Sequence, residues 1–351
     1  MIIYSKNSGA RDSFIGKLET PIKMLIEHES DILSKKNSVA SLLFNTEKSN
    51  RFGETIVTST DFDIFQATGE GAGATVDNIS EAGKKFIEHI QFTKEFIITA
   101  EMMEDATMGI AAEAKRRIEN FTRAYYKTIN KLCTEALANG TKASTKFANA
   151  TVDLTTSDGN PLFYKYHKWG LATSNNGVQS NYFSGNIFTK KGSTEASVET
   201  FEEALTELAF KIRNMKDENG DPLGYVADTI ILPGNRPLAE TVVKKVCGSM
   251  GTTGTANNDI NINYGIWNVV VLPSWQTSED TCLIMSSEAN KNLCGNMLFN
   301  RIPLTVSNWV DYHTGNYIWN GRCRFGVGFG SYKHIVCAVN SDTTVSGSTA
   351  L

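Results

Sequence analysis

The chain lacks the surplus of lysine and arginine that a dedicated nucleic-acid binder needs. It carries 34 Lys and Arg against 38 Asp and Glu, a formal net charge of −4, whereas displacing counterions from a phosphate backbone takes a basic excess. Only local basic faces stay open. No stretch approaches the ~18 apolar residues of a membrane span, so no membrane partner is expected. The opening MIIYSKNSGARDSF has no apolar core followed by a small-residue cleavage site, which predicts synthesis in the cytoplasm without a secretory signal. Histidine is scarce, five in all and none in an H-x-x-x-H pair, which argues against a zinc site or a Ser-His-Asp triad. The six cysteines, Cys133, Cys247, Cys282, Cys294, Cys323 and Cys337, show no C-x-x-C or short metal-ligand spacing. Several sit in apolar runs and read as buried thiols of a reducing compartment. There is no internal repeat of solenoid period.

What is present is an ordered chain of 351 residues, 41% hydrophobic and 21% charged, enough for one large core or two smaller ones. Its organising stretch runs from Thr99 to Gly140. Apolar positions Ile110, Ala114, Ile118, Phe121, Tyr125, Ile129, Leu132 and Ala136 recur there at steps of three or four, the period of an amphipathic helix. Thr99 suits a lead-in turn, and Asn139-Gly140 predicts a left-handed closing residue. From Ile110 to Ala138 such a helix reaches about 43 Å at ~1.5 Å per residue, more than a compact core requires. The stripe lacks paired heptad positions, so a strut laid across sheets is favoured over a coiled coil.

Ahead of it, residues 1–50 form a mixed-charge arm with an amphipathic segment through Leu18, Ile22, Leu25, Ile26, Ile32 and Leu33. Residues 52–98 switch to strand alternation, clearest at Phe86, Ile90, Phe92, Phe96 and Ile98, with Thr55 to Ser59 and Phe62, Ile64 and Phe65 as the outgoing arm. The GEGAGA run from Gly69 to Ala74 forms the tip. An isolated two-stranded ribbon of that length cannot bury its own apolar face, so it requires a partner surface. Residues 141–196 are polar, with one aromatic knot from Pro161 to Trp169. Next come a helix at Thr200 with Phe201, Ala204, Leu205, Leu208, Ile212 and Met215 on one face, buried-type strands at 228–232 and 266–272, a helix from Pro237 to about Val246, and a Gly/Thr/Asn loop from Gly248 to Asn263. In 317–329 the odd positions are apolar. Gly326, Gly328 and Gly330 lie on the other face, where a second backbone can approach closely.

The candidate chemistry is thin. GEGAGA resembles a phosphate loop only superficially, because a strand and not a helix follows it. Asp217, Asn219 and Asp221 open like a calcium loop but lack its later Gly and acidic twelfth position, and helix-to-strand turn chemistry explains them. His167, among aromatics and Lys165 and Lys168, suits a general base, a base-stacking site or a loop anchored by aromatics. Cys247-Gly-Ser249-Met-Gly251 lacks the first Gly of a nucleophile elbow and follows a helix. No active site and no cofactor is expected.

Order and wording then match a known family. The phrases Arg51-Phe-Gly-Glu-Thr-Ile-Val57, Phe96-Ile-Ile-Thr-Ala-Glu-Met-Met-Glu-Asp105 leading into a helix closing on Ala138-Asn-Gly-Thr141, Pro161-Leu-Phe with His167, Gly220-Asp-Pro-Leu-Gly224, Ile231-Leu-Pro-Gly-Asn235 and Cys323-Arg-Phe-Gly326 run through nearly the whole chain. In that succession it resembles a tailed-phage major capsid protein of the Hong Kong 97 type, in the subgroup that includes the Mu-like major head protein.

The resemblance implies an α+β capsid fold: an N-terminal arm (1–52), an extended E-loop hairpin (53–92), a peripheral domain (93–196) with spine helix 110–138, an α/β axial domain (197–292), and peripheral strands with a C-terminal tail (293–351). It implies that the E-loop meets a neighbouring copy through Phe62, Ile64, Phe65, Glu70, Lys84 and Lys85, and that the spine helix has a core of Ile110, Ile118, Phe121, Tyr125, Ile129 and Leu132. It also implies a capsomer loop with Thr252, Thr253, Asn257, Asn258 and Asp259. The implied partners are further copies in pentamers and hexamers, double-stranded DNA held without sequence reading, and portal, scaffolding and decoration proteins. The implied location is the virion capsid, assembled in the host cytoplasm. Some relatives join neighbouring copies by a Lys-Asn isopeptide bond aided by a Glu. Lys84 and Lys85 lie near the excursion, but no Asn and Glu match that pattern, so non-covalent locking is expected. The alternatives are an encapsulin-like compartment for a cargo enzyme and a cytosolic hydrolase using His167 and Asp217.

Overall fold

The structure is a computed structural model that describes residues 29, 33, 38–59, 62, 65–74, 76, 81–99, 101, 108–170, 177–248 and 261–341, without the side chains of 82 and 108–115. The amphipathic segment expected at 18–33 falls outside these residues except for Glu29 and Leu33, both helical.

A short helix α1 (Val39–Leu43), capped by the Ser38 hydroxyl, leads to strand β1 (Asn45–Lys48). Strands β2 (Gly53–Ser59) and β3 (Glu81–Glu88) pair antiparallel as a ribbon, and β4 (Ile90–Ile98) follows after His89. The strut is α2 (Met108–Ala138). Beyond it lie β5 (Ser144–Phe147), β6 (Ala150–Asp153), β7 (His167–Lys168), β8 (Val178–Gln179) and β9 (Tyr182–Gly185). The α/β part comprises α3 (Val198–Arg213), β10 (Thr229–Pro233), α4 (Pro237–Gly248), β11 (Asn268–Leu272), β12 (Thr281–Met285) and α5 (Ser287–Asn292). Long strands β13 (Asn296–Val310) and β14 (Tyr317–Phe329) and the final β15 (Ile335–Asn340) end the fold. Among the described residues no helix is long and apolar enough to cross a membrane.

Two sheets organise these elements, one ordered β1-β13-β14-β4 and the other β11-β10-β12-β15-β9. Period-2 patterning gives the five-stranded sheet two apolar faces. On one face Ile230, Leu232, Cys282, Ile284, Val336 and Ala338 cluster with Phe201, Leu205, Leu208 and Ile212 of α3 and Val242, Val243 and Val246 of α4. The alternate residues Ile231, Leu283, Met285, Ile335, Cys337 and Val339 join a second cluster that holds Tyr125, Ile129, Leu132, Cys133 and Leu137 of α2. Helix α2 and the α3/α4 pair therefore occupy opposite faces.

The odd residues of β14 are buried from Trp319 onward, while Arg322 on the other pleat face is exposed. Its glycine face does receive a second backbone. A Cβ on Gly326 would lie 2.6 Å from the Glu88 carbonyl oxygen, and one on Gly328 would lie 2.6 Å from the Ile87 side chain. Because the obstacle at Gly326 is main chain, Gly326→Ala is expected to cost about 1–3 kcal/mol by overpacking, read as a lowered urea midpoint. An unchanged midpoint would contradict this packing.

Several expectations need correction. Asn139 and Gly140 are absent from the positive-φ residues; Gly140 is required because the Phe163 ring would sit 2.7 Å from its Cβ. The 141–196 stretch contains a hairpin, β5–β6, turned through Ala148 (φ 46°) and Asn149 (φ 70°), and β9 extends the five-stranded sheet. Strand β15, expected with the terminal strip, pairs with β12 and β9 instead, and its alternate residues pack into the clusters on the two faces of that sheet. Phe62 and Phe65 lie outside any strand.

Candidate assembly surfaces

The β2–β3 ladder lies against the body of its own chain, and the residues beyond it have the opposite character. At the root Lys85 is buried, its Nζ 2.6 Å from Asp153 Oδ2 and donating to Thr155 Oγ1 at 2.7 Å. Burial lowers the lysine pKa, and the Asp153 carboxylate opposes that shift. Thr58 donates to Ser157 Oγ at 3.1 Å, and the Ser157 amide donates to the Gly330 carbonyl at 3.0 Å. Lys85 thus anchors the ribbon to its own body. The implied contact of this side chain with a neighbouring copy is corrected: an ammonium with a carboxylate and a hydroxyl within its own chain has no reach outward. Lys84, on the other pleat face, is exposed and paired with Glu81.

Toward the tip the side chains lose cover. Phe62 is 72% exposed, Phe65 is fully exposed and Val76 is 88% exposed. Burying each such side chain is worth about 1.5–3 kcal/mol. Glu70 is exposed beside a turn in which the Ala72 amide donates to the Gly69 carbonyl at 3.0 Å and Gly71 has φ +82°. The run is an open turn, with nothing within 4 Å of a Cβ built at Gly69, Gly71 or Gly73. Ile64 lies outside the described residues.

On the strut, Ile118, Phe121, Tyr125, Ile129 and Leu132 are all buried, while the side chain of Ile110 lies outside the described ones. Phe121 presses against Gly321 of β14 and meets Phe96 at 5.0 Å between ring centroids. Thr252, Thr253, Asn257, Asn258 and Asp259 fall outside the described residues.

The residues weighed for chemistry are structural in place. Asp217 Oδ1 accepts the amides of Asn219, Gly220 and Asp221 at 2.8, 2.7 and 2.9 Å, closing a turn with Gly220 at φ +101°. His167 is fully buried, stacked 3.7 Å from the Tyr332 ring, with Nδ1 2.7 Å from Asp158 Oδ2 and Nε2 3.3 Å from the Leu162 carbonyl oxygen. No nucleophile or opening accompanies it among these contacts, and Asp217 is not one of its partners. Sequence reasoning missed Asp158, Asp153 and Thr155, whose partners lie 9 to 70 residues away. It also missed the buried ion pair of Lys333 with Glu218, at 3.1 Å.

A family model described as "Phage capsid protein" matches residues 84–338. The chain belongs to the phage capsid protein family. It is a major capsid protein, a structural building block of the phage head and not an enzyme, and its place is the virion capsid. Solved capsid structures share the fold. The capsid of Myoviridae phage XM1 is 12% identical with a TM-score of 0.53, over 86% of this chain and 90% of that one. The capsid of cyanophage P-SCSP1u is 9% identical with a TM-score of 0.52, over 88% and 89%. A Mycobacterium phage Patience chain is 12% identical with a TM-score of 0.50, over 94% and 88%. No curated protein sequence matches.

In this capsid protein the His167–Asp158 pair is a folding element. Burial alone would raise the Asp158 pKa, but the His167 imidazole, the Thr156 hydroxyl and Asn160 hold it down at about 2. A folded pKa below the unfolded value near 4 means stability present above about pH 4 and lost as pH falls toward 2. The contribution is about 2 kcal/mol. Asp158→Asn is therefore expected to lower the urea midpoint at pH 6, with the gap from wild type closing as the pH approaches 2. A gap constant across that range would contradict the assignment.

Proposed function

We propose that the chain is the major head protein of a tailed phage of the Hong Kong 97 type, in the Mu-like subgroup, closing through pentamers and hexamers into an icosahedral shell around double-stranded DNA. The observation that carries this reading is the ribbon anchored at Lys85 yet exposing Phe62, Phe65 and Val76 at its far end. An apolar end on a self-anchored arm fits an E-loop laid over a neighbouring copy, and repeated contacts of that kind close a symmetric shell. Helix α2 is the spine helix in this reading. The axial domain gains β9 and β15 through the shared sheet, and the loop containing Thr252 to Asp259 would face the capsomer centre. Portal, scaffolding and decoration proteins would complete the head, assembled in the host cytoplasm. Size exclusion and negative-stain microscopy of the expressed protein should show capsomers or shells. A strictly monomeric species under every assembly condition would overturn the reading, and shells holding a protein cargo and no genome would support a cargo compartment.

A further inference from the structure

Helix α2 exposes Arg116, Asn120, Arg123, Lys127 and Lys131 at steps of four, three, four and four, with Arg117 beside the first. Such steps place them along one line of the helix surface, about 22 Å long at ~1.5 Å per residue. Five bases and two acids, Glu119 and Glu135, occupy 116–135 in a chain whose net charge is −4. The described ion pairs along the line are long and partly solvated: Arg123 lies 3.9 Å from Glu119 and 4.0 Å from Glu29, and Lys131 lies 3.5 Å from Glu135. These solvated pairs of Arg123 and Lys131 contribute little to stability and leave those two charges open to a further anion. Across the five-stranded sheet, α3 presents Glu199, Glu202, Glu203 and Glu207, with Lys211 and Arg213 only in its last turn. On that same face α4 adds exposed Lys244 and Lys245 against Glu240, so the face across the sheet is mixed in charge while the α2 line is basic.

We propose that the basic line of α2 is the lumenal surface of the tile and rests on the phosphates of packaged duplex DNA. The inference builds on the shell reading and adds which face looks inward. A straight row of cations meets a regular line of phosphates by charge alone, with no demand on base sequence.

The test uses the full chain before assembly, a fluorescent duplex of about 20 base pairs and arbitrary sequence, and anisotropy between about 50 and 200 mM salt. With four phosphates neutralised, wild-type affinity should fall about 100-fold over that range. The variant Arg116→Gln, Arg123→Gln, Lys127→Gln, Lys131→Gln should bind at least about tenfold more weakly at low salt and lose most of the salt dependence. A control with the same charge change elsewhere, Lys191→Gln, Lys216→Gln, Lys244→Gln, Lys245→Gln, should bind like wild type. Equal losses in both variants, or no loss in the α2 variant, would overturn the proposal. So would shells that fail to form while duplex binding is unchanged, which would mark the line as a protein interface. Absence of shells from wild type itself would count against the shell reading, whereas normal shells with unaltered duplex binding sink only the assignment of this face.

Discussion

Deleting Asp63–Ile79 should leave a soluble, folded protein that makes no stable shell. In the proposed reading the ribbon's root and its tip serve different partners. The root is tied to its own body through Lys85 with Asp153 and Thr155, Thr58 with Ser157, and Ile87 over the glycines of β14. None of those residues is removed. The deletion takes away Phe65 and Val76, which are left uncovered by their own chain, so the far-UV circular dichroism and thermal midpoint should stay close to wild type. Assembly should suffer far more. Each lost apolar contact of about 1.5–3 kcal/mol is repeated at every copy in the shell, and about 1.4 kcal/mol is already a tenfold change in each association step. Global unfolding of the deletion variant would contradict the division of labour between root and tip.

The second large effect belongs to the strut. Leu132 has no exposed surface and sits in the cluster that joins α2 to the five-stranded sheet and to Phe325 and Phe329 of β14. Leu132→Asp would put a carboxylate among apolar neighbours with no cation to meet it. Removing the packing costs about 2–5 kcal/mol, and a polar group buried without a partner adds several more. Together these approach the whole stability of about 5–15 kcal/mol that holds a typical domain. The expected outcome is insoluble protein, or a soluble fraction without a cooperative thermal transition. Ile118→Asp, placed in the smaller cluster with Ile98 and Trp319, should act in the same direction. Normal solubility and assembly of both variants would contradict the role of α2 as the member on which both sheets pack.

Local periodicity made much of this architecture readable. The three-and-four spacing from Ile118 to Ala136 marks α2, the Phe201 to Ile212 stripe marks α3, and the odd positions of 317–329 mark β14, because each pattern depends only on how a side chain is aimed by its own backbone. The glycines at 326 and 328 were legible for the same reason: their face had to admit something bulky, which proved to be Ile87 and the Glu88 backbone. Strand pairing was not legible. That β15 belongs beside β12, or that β9 closes the sheet edge, depends on contacts across some 50 to 155 residues, and no local pattern states the partner.

The same limit governs individual residues. Lys84 and Lys85 look alike in the sequence, yet alternation across the ribbon sends one to solvent and the other into a pocket whose carboxylate arrives from β6. His167 invited a catalytic reading because its neighbours are aromatic and basic. Its real companions, Asp158 and Tyr332, come from different segments and close it off from solvent. Gly140 fits the end of a helix by type, but the Phe163 ring and not a left-handed backbone is what requires it.

Hydrogen–deuterium exchange on the unassembled protein and on assembled shells tests the central claim most directly. Peptides covering 81–88 should be protected in both states, since the Lys85 anchor and the β2–β3 ladder are internal to one chain. Peptides covering 62–76 should exchange fast before assembly and slow markedly in shells. Protection of 62–76 already complete in the unassembled protein, or unchanged fast exchange there after assembly, would contradict the account.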